Sequence, residues 1–340
     1  MSPLKSTDPG EPLSTATAVA CPVAATAREQ TLPVLCLDKH RSPVPAVRRR
    51  FLEQFRGSLE EWGFLVLDGH GLSEPRFLEA FEQCQEFFSL DEPLKRDCES
   101  PESLGNRGYV GLGGERAVGA SVGDLKEFFH VGQPNRSAGD PGRDACHGAN
   151  VWPEECAVPG FRRTMLGLYA DLESLAGRVL AACEDALGIE SGLLQSWIRG
   201  GNSILRLIHY PPLPDSPGAA VRAAAHEDIN LVTLLCEGTS GGLEIRRPDG
   251  SWMPVRSLSG QLVLNVGDML SRATNGRLRS TTHRVVNPDH GTAGVSRYSL
   301  PFFVHPRPEV RLDVGGRSGV GPTAGEFLRM RLEAISARGQ

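Results

Sequence analysis

The 340-residue chain has no CxxC pair, no apolar run of about 18 residues and no long stretch of Lys or Arg. The first absence argues against zinc ribbons and dithiol redox motifs. The second leaves no candidate transmembrane helix. The third, with a formal net charge of −5, means that neither nucleic acid nor an anionic membrane is the expected partner. The eight cysteines, at 21, 36, 84, 98, 146, 156, 183 and 236, are scattered. In a chain of this length that usage fits free thiols in a reducing, cytoplasmic setting. The early stretch STATAVACPVAATA lacks the basic start and strongly apolar centre of an export signal. Residues 1–30, rich in Ala, Thr, Ser and Pro, read as a disordered leader. The oligomeric state is left open.

What is present is an ordinary globular composition, 40% hydrophobic and 23% charged, in a chain long enough for a sizeable core. Residues 31–195 form a helix-rich segment. RRRFLEQFRGSLEEW predicts a helix broken at Gly63 and followed by a short strand. SEPRFLEAFEQCQEFFSL predicts a second helix with Ser73 as its N-cap, and DEPLKRDC a shorter one. Residues 160–187 predict a long amphipathic helix with Leu168, Leu172, Leu175, Val179 and Cys183 on its inner stripe. Over residues 196–308 short strands alternate with turns, including a hairpin around Pro248-Asp249-Gly250. Six or more strands at this spacing predict a β-sandwich or jelly roll. Residues 309–340 form a tail closed by the helix TAGEFLRMRLEAI.

One stretch concentrates chemistry. AAAHEDINLVTLL places His226, Glu227 and Asp228 at the mouth of an apolar run, where polar groups are costly unless something engages them. If the run is a strand, His226 and Asp228 share a face and Glu227 points away. A third ligand from a neighbouring strand would complete a metal site, and His283 in RSTTHRVV is the best candidate. Two imidazoles and one carboxylate make the facial triad of non-haem Fe(II) oxygenases. Most single histidines are simply hydrogen-bonded residues, so the H-x-D pair does not decide the matter alone. RYSLPFF adds Arg297 and Ser299, two apart on a strand, as a fork and a hydroxyl for a carboxylate.

Four other readings compete. GTSGG at 238–242 matches G-x-S-x-G, but strand and turn follow where the elbow of a serine hydrolase needs a helix, so Ser240 reads as a loop residue. GLGGERAVG has Arg116 where G-x-G-x-x-G has its last glycine, and reads as a flexible loop. A zinc hydrolase could use His, Asp and His, but has no need of Arg297 and Ser299. Intact ligands argue against a non-enzymatic binding protein.

Together these strings resemble the 2-oxoglutarate-dependent Fe(II) dioxygenases of the isopenicillin N synthase type. LRLIHYPP, LVLNVGDMLSRATNGRLRSTTHRVV and RYSLPFFVHP carry the likeness, with WGFLVLDGHG, NRGYVGLGGER and DLKEFFHVG in the N-terminal half. It spans roughly residues 31–308. The resemblance implies a mainly β fold, a double-stranded β-helix (jelly roll) core with flanking helices. It implies Fe(II) on His226, Asp228 and His283, with O2 and 2-oxoglutarate as co-substrates. The distal carboxylate of 2-oxoglutarate would meet Arg297 and Ser299, with Tyr210 as a further partner. Ile208 stands where plant members carry Asn, so nearby Arg206 is a candidate replacement contact. Asp228 disfavours halogenation, because the family's halogenases lose that carboxylate. The expected reaction is C–H oxidation of a small amino-acid-derived or natural-product metabolite. Hydroxylation, desaturation and ring closure stay open, as does an iron oxidase that uses no 2-oxoglutarate. The segment NRGYVGLGGERAVGASVGDLKEFF is expected to cover the open face of the metal as a movable loop. Tyr109, Glu127 and Phe129 are its candidate substrate contacts; the alternative is that they are core and ion pair, with the pocket near Arg206 or the C-terminal helix.

Overall fold

Strands that alternate apolar side chains need a partner for each face, and the fold supplies both. The computed structural model describes residues 31–340 apart from 104, 116–122, 135–147, 214–219, 238–240, 289–293, 316–320 and 338–340. The expected leader, Cys21, Cys146, Arg116 and Ser240 lie outside the described residues. The strands are β1 (Val34–Cys36), β2 (Phe64–Asp68), β3 (Gly108–Val110), β4 (Glu127–Val131), β5 (Ile204–Tyr210), β6 (Ala223–His226), β7 (Val232–Glu237), β8 (Leu243–Arg246), β9 (Trp252–Pro254), β10 (Leu262–Val266), β11 (His283–Val285) and β12 (Arg297–Val304). They form an eight-stranded sheet ordered β1-β2-β10-β7-β12-β5-β4-β3 and a four-stranded sheet ordered β6-β11-β8-β9.

The helices are α1 (Pro45–Glu61), α2 (Glu74–Phe88), α3 (Glu92–Arg96), α4 (Phe161–Leu187), α5 (Leu193–Ile198), α6 (Asp268–Ala273) and α7 (Ala324–Ala337). In α1, Pro45 stands in the first turn, where its missing N–H costs nothing, and Phe51, Phe55 and Leu59 recur at intervals of four to face the core. The helix gives way to β2 at Gly63, whose positive φ and approach to the Arg279 carbonyl, 2.2 Å from where a Cβ would stand, admit no side chain. In α4 the expected stripe is buried, and Gly160 and Gly188 flank the helix in the left-handed region. Ser73 does occupy the N-cap position of α2, but its side chain makes no capping hydrogen bond.

The period of two sorts the large sheet into two faces. On one face Leu205, Leu207, Leu300, Phe302, Val304, Leu262 and Leu264 join the helices in the main core. On the other, Phe64, Val66 and Val263 pack against Leu243, Ile245 and Met253 of the small sheet. Phe128, Ile208 and Tyr210 likewise meet Ala223 and Val285. The expected helix-rich segment thus also supplies β1–β4 to the large sheet, two strands at each edge. The short helices α5 and α6 were not legible in sequence, because six residues give under two turns of periodicity.

Phe129 lies on the helix-facing side of β4, fully buried, with Phe87 and Phe161 edge-on at 4.9 and 5.3 Å. Phe129→Ala is expected to cost about 3–5 kcal/mol of folding stability. Chemical denaturation measures it, and a loss under about 1 kcal/mol would remove Phe129 from the core.

Candidate metal centre

The four-stranded sheet and the loop after β6 bring three candidate ligands together. β6 ends at His226, and antiparallel pairing sets His283 of β11 opposite it, with ring centroids 4.4 Å apart. Asp228 lies beyond the end of β6, so the strand alternation expected to align it with His226 is not what does so. Its loop is held by the Asp268 N–H, which donates to the Asp228 carbonyl at 2.7 Å. The Thr233 hydroxyl and the Asn265 amide both donate to its Oδ2, at 2.5 and 2.8 Å. That leaves Oδ1 facing the imidazoles, 3.9 Å from Nε2 of His226 and 3.8 Å from Nε2 of His283.

The tautomers follow from the backbone. Nδ1 of His226 meets the Ala224 carbonyl at 2.8 Å, and Nδ1 of His283 meets the Thr281 carbonyl at 3.1 Å. A carbonyl only accepts, so each Nδ1 carries the proton and each Nε2 presents a lone pair. Desolvation, and then the neighbouring His283, hold His226 down to about 4, so its ring is neutral near pH 7. Burial pushes the Asp228 carboxyl up, but His283, His226, Thr233 and Asn265 outweigh it and keep it below the usual range. Two nitrogen lone pairs and one anionic oxygen therefore converge, all within 4.8 Å. That donor set suits a divalent cation with open positions, and the residues fit a non-haem iron.

Two supporting residues went unread in the sequence. Thr233 and Asn265 are polar residues flanked by apolar ones at inner positions of their strands, a signal that was there to use. Glu227, expected to be a bystander on the outer face, accepts a hydrogen bond from the Thr282 hydroxyl and so ties the two ligand-bearing segments together.

Arg297 and Ser299 share the inner face of β12, both buried. Arg297 pairs in register with Tyr210, and Ser299 with Ile208. The Arg297 guanidinium lies 4.9 Å from the Tyr210 ring centre, and its Nε donates to the Gly241 carbonyl at 3.3 Å. A second buried guanidinium, Arg222, stands 6.0 Å from the same ring. It donates to the Val295 carbonyl, while its Nε has no hydrogen-bond partner among the described residues. Desolvation and then repulsion from Arg297 lower its pKa. Two buried cations beside a tyrosine fit an anionic group.

The expected substrate contacts face the other way. Glu127 and Phe129 of β4 and Tyr109 of β3 belong to the helix-facing side of the large sheet, which corrects their assignment to the open face of the metal. The Glu127 carboxylate accepts from Lys95 Nζ at 2.8 Å, Tyr109 Oη at 2.5 Å and His209 Nδ1 at 2.7 Å, so that it is held within the helix-facing cluster. Desolvation and then Glu127 raise the Tyr109 phenol. Arg206 does lie on the inner face, but its fork is engaged by Glu115 at 3.1 and 3.2 Å. Residues 116–122 of the expected covering segment lie outside the described residues. A cleft of about 730 Å³ between α6 and α7, lined by Asp268, Arg272, Asp313, Phe327 and Arg331, contains none of the three converging ligands.

The chain is similar to known proteins. A family model described as non-haem dioxygenase in morphine synthesis N-terminal matches residues 32–155. One described as the 2OG-Fe(II) oxygenase superfamily matches residues 201–306. The chain is 34% identical over 276 residues to the 2-oxoglutarate-dependent dioxygenase frbA of Dothideomycetidae sp., covering 77% of this chain and 82% of that protein. It is 33% identical over 279 residues to the proline hydroxylase buaE of Petromyces alliaceus, covering 78% and 84%. A 2OG-Fe(II) oxygenase family protein from Caulobacter crescentus superposes with a TM-score of 0.78 at 38% identity, over 89% of this chain and 99% of that one. Full-length Neurospora crassa T7H in complex with alpha-KG and thymine gives 0.79 at 26% identity, over 91% and 98%.

The Glu127 cluster makes a pH-dependent prediction. Burial pushes this carboxyl up, but hydrogen bonds from His209, Lys95 and Tyr109 outweigh it, so its folded pKa lies below the ordinary 4.5. A depressed carboxylate stabilises the fold above its unfolded pKa and loses that contribution as pH falls through the folded value. Glu127→Gln leaves buried Lys95 without its buried partner and is expected to cost about 3 kcal/mol near pH 7. The gap between wild type and variant, followed by denaturant titration, is expected to narrow progressively below pH 4.5. A gap that widens there contradicts the assignment.

Proposed function

The chain belongs to the 2OG-Fe(II) oxygenase superfamily, in its isopenicillin N synthase-like group, and from that premise we propose that His226, Asp228 and His283 hold its iron. It is a non-haem Fe(II)/2-oxoglutarate-dependent dioxygenase that oxidises a C–H bond of a small metabolite, using O2 and releasing succinate and CO2. Its core is the jelly roll of that family. The observation that carries the ligand assignment is the convergence of two Nε2 lone pairs on Asp228 Oδ1, an arrangement that a cation between them makes favourable.

On this reading Arg297, Ser299 and Tyr210 bind the distal carboxylate of 2-oxoglutarate, and Arg222 adds a second positive charge behind Tyr210. Bound iron supplies the redox chemistry; the protein's part is to orient the reactants and exclude water. Thr233 and Asn265 fix the Asp228 carboxylate by engaging Oδ2, so that Oδ1 is aimed inward. The Ala224 and Thr281 carbonyls keep both imidazoles in the tautomer that can donate electrons to a metal.

A small-molecule substrate is supported by a relative named a proline hydroxylase and by a structural neighbour bound to thymine. Among the described residues no helix is long and apolar enough to cross a membrane. A reducing, cytoplasmic setting fits the six free cysteines among them.

Succinate release from 2-oxoglutarate, followed with and without O2 against a metabolite panel that includes L-proline, tests the reading. Arg297→Ala removes the charge partner of a buried carboxylate and is expected to cost about 2–5 kcal/mol in 2-oxoglutarate affinity, a rise in its Kd of about 30-fold or more. Unchanged 2-oxoglutarate dependence in this variant would point to another anchor, or to an oxidase that does not use it.

A further inference from the structure

We propose that Arg206 is the substrate-recognition residue, and that its guanidinium receives a carboxylate of an acidic small-molecule substrate beside the metal. The proposal rests on the iron and 2-oxoglutarate assignments above and adds the substrate class.

Arg206 occupies an inner position of β5, on the same face as Ile208 and Tyr210. It lies four positions from Tyr210, about 13 Å along a strand, and two from Ile208, the cross-strand neighbour of Ser299. Two chains of contacts run from it toward the triad. On one side Phe303, whose ring centre is 5.2 Å from the Arg206 guanidinium, is the cross-strand neighbour of Thr233, which bonds Asp228. On the other, Lys126 shares Glu115 with Arg206. Lys126 also pairs with Asp124 at 2.8 Å, and Asp124 accepts from the Ala224 N–H, two residues before His226.

The site is built to hold a flat anion. The guanidinium is stacked between Phe128, at 4.4 Å, and Phe303, which fixes the plane of its fork. Its Nε donates to His130 Nε2, and His130 is held by the Gly105 carbonyl through Nδ1. Desolvation and then Arg206 lower the His130 pKa, which keeps the ring neutral as that acceptor requires. Both Nη groups therefore face one way, and there they meet the Glu115 carboxylate in bidentate fashion, with Lys126 Nζ on the same carboxylate at 2.7 Å. Glu115 is the most exposed member of the cluster, its side chain 36% accessible against 17% for Arg206 and 6% for Lys126. Its carboxylate stands in for the acid group of the substrate. When that group takes its place, Lys126 keeps Asp124 and Arg206 keeps a counter-ion, so no buried charge is stranded.

The test uses the full chain. Mn(II)-loaded protein is first titrated with 2-oxoglutarate to give its Kd. The Fe(II) enzyme is then assayed for succinate release above the 2-oxoglutarate-only rate against small carboxylic acids, L-proline among them, each paired with its own methyl ester. At least one acid is expected to stimulate turnover, with its ester about tenfold less effective or worse. Arg206→Ala and Arg206→Gln are each expected to lower kcat/KM for that acid about 100-fold, mainly through KM, with the Kd for 2-oxoglutarate within about threefold of wild type. That Kd also reports that the variants fold. Glu115→Ala is expected to lower the KM of the acid. The proposal is overturned if no acid stimulates, if acids and esters are equal, if either Arg206 variant keeps its kcat/KM, or if the 2-oxoglutarate Kd rises in parallel. Wild type that fails to bind 2-oxoglutarate at all contradicts the co-substrate assignment instead, and the proposal falls with it.

Discussion

The meeting of Asp228 Oδ1 with two imidazole lone pairs across less than 4 Å is the constraint on which the rest of the site depends. Like-charged or electron-rich atoms at that distance repel in a desolvated setting. The surrounding structure is arranged so that they cannot turn away. Cross-strand register sets His283 opposite His226, backbone carbonyls lock both tautomers, and Thr233 with Asn265 hold the far oxygen of Asp228. Glu227 and Thr282 cross-link the backbone on either side. A cation would relieve the repulsion, and in the proposed centre metal binding and local order would then reinforce each other.

The large sheet divides the chemistry by face. Its helix-facing side buries Glu127, Lys95, Tyr109 and His209 in a mutually satisfied cluster that holds α3 and β3 to β4. Its inner side carries Arg297, Ser299, Tyr210 and Arg206, whose charges point between the sheets. One residue of register on β4 separates the two roles, so Phe128 walls the inner space while Phe129 packs among helices.

Much of this was legible in the sequence. The helices α1, α2 and α4 follow from apolar spacing, and the strands from turn-bounded apolar runs. His226, Asp228 and His283 stood out as polar residues in apolar surroundings, and Arg297 with Ser299 by their spacing of two. The face of β4 was not legible. EFFHV is buried on both sides, so it has no apolar alternation to distinguish the metal side from the helix side. Only pairing with β5 decides it, and Tyr109, Glu127 and Phe129 went to the wrong face for that reason. Asp228 was placed by the right residue and the wrong element, because strand length cannot be read to within a residue. Arg222, four residues ahead of His226, carried no local signal at all.

The measurement that bears most directly on the centre is iron stoichiometry after anaerobic reconstitution with Fe(II) and removal of excess metal. Wild type is expected to retain about one iron per chain, and Asp228→Ala under about a tenth of that, with far-UV circular dichroism unchanged. Full iron retention by the folded Asp228→Ala protein would contradict the triad of His226, Asp228 and His283.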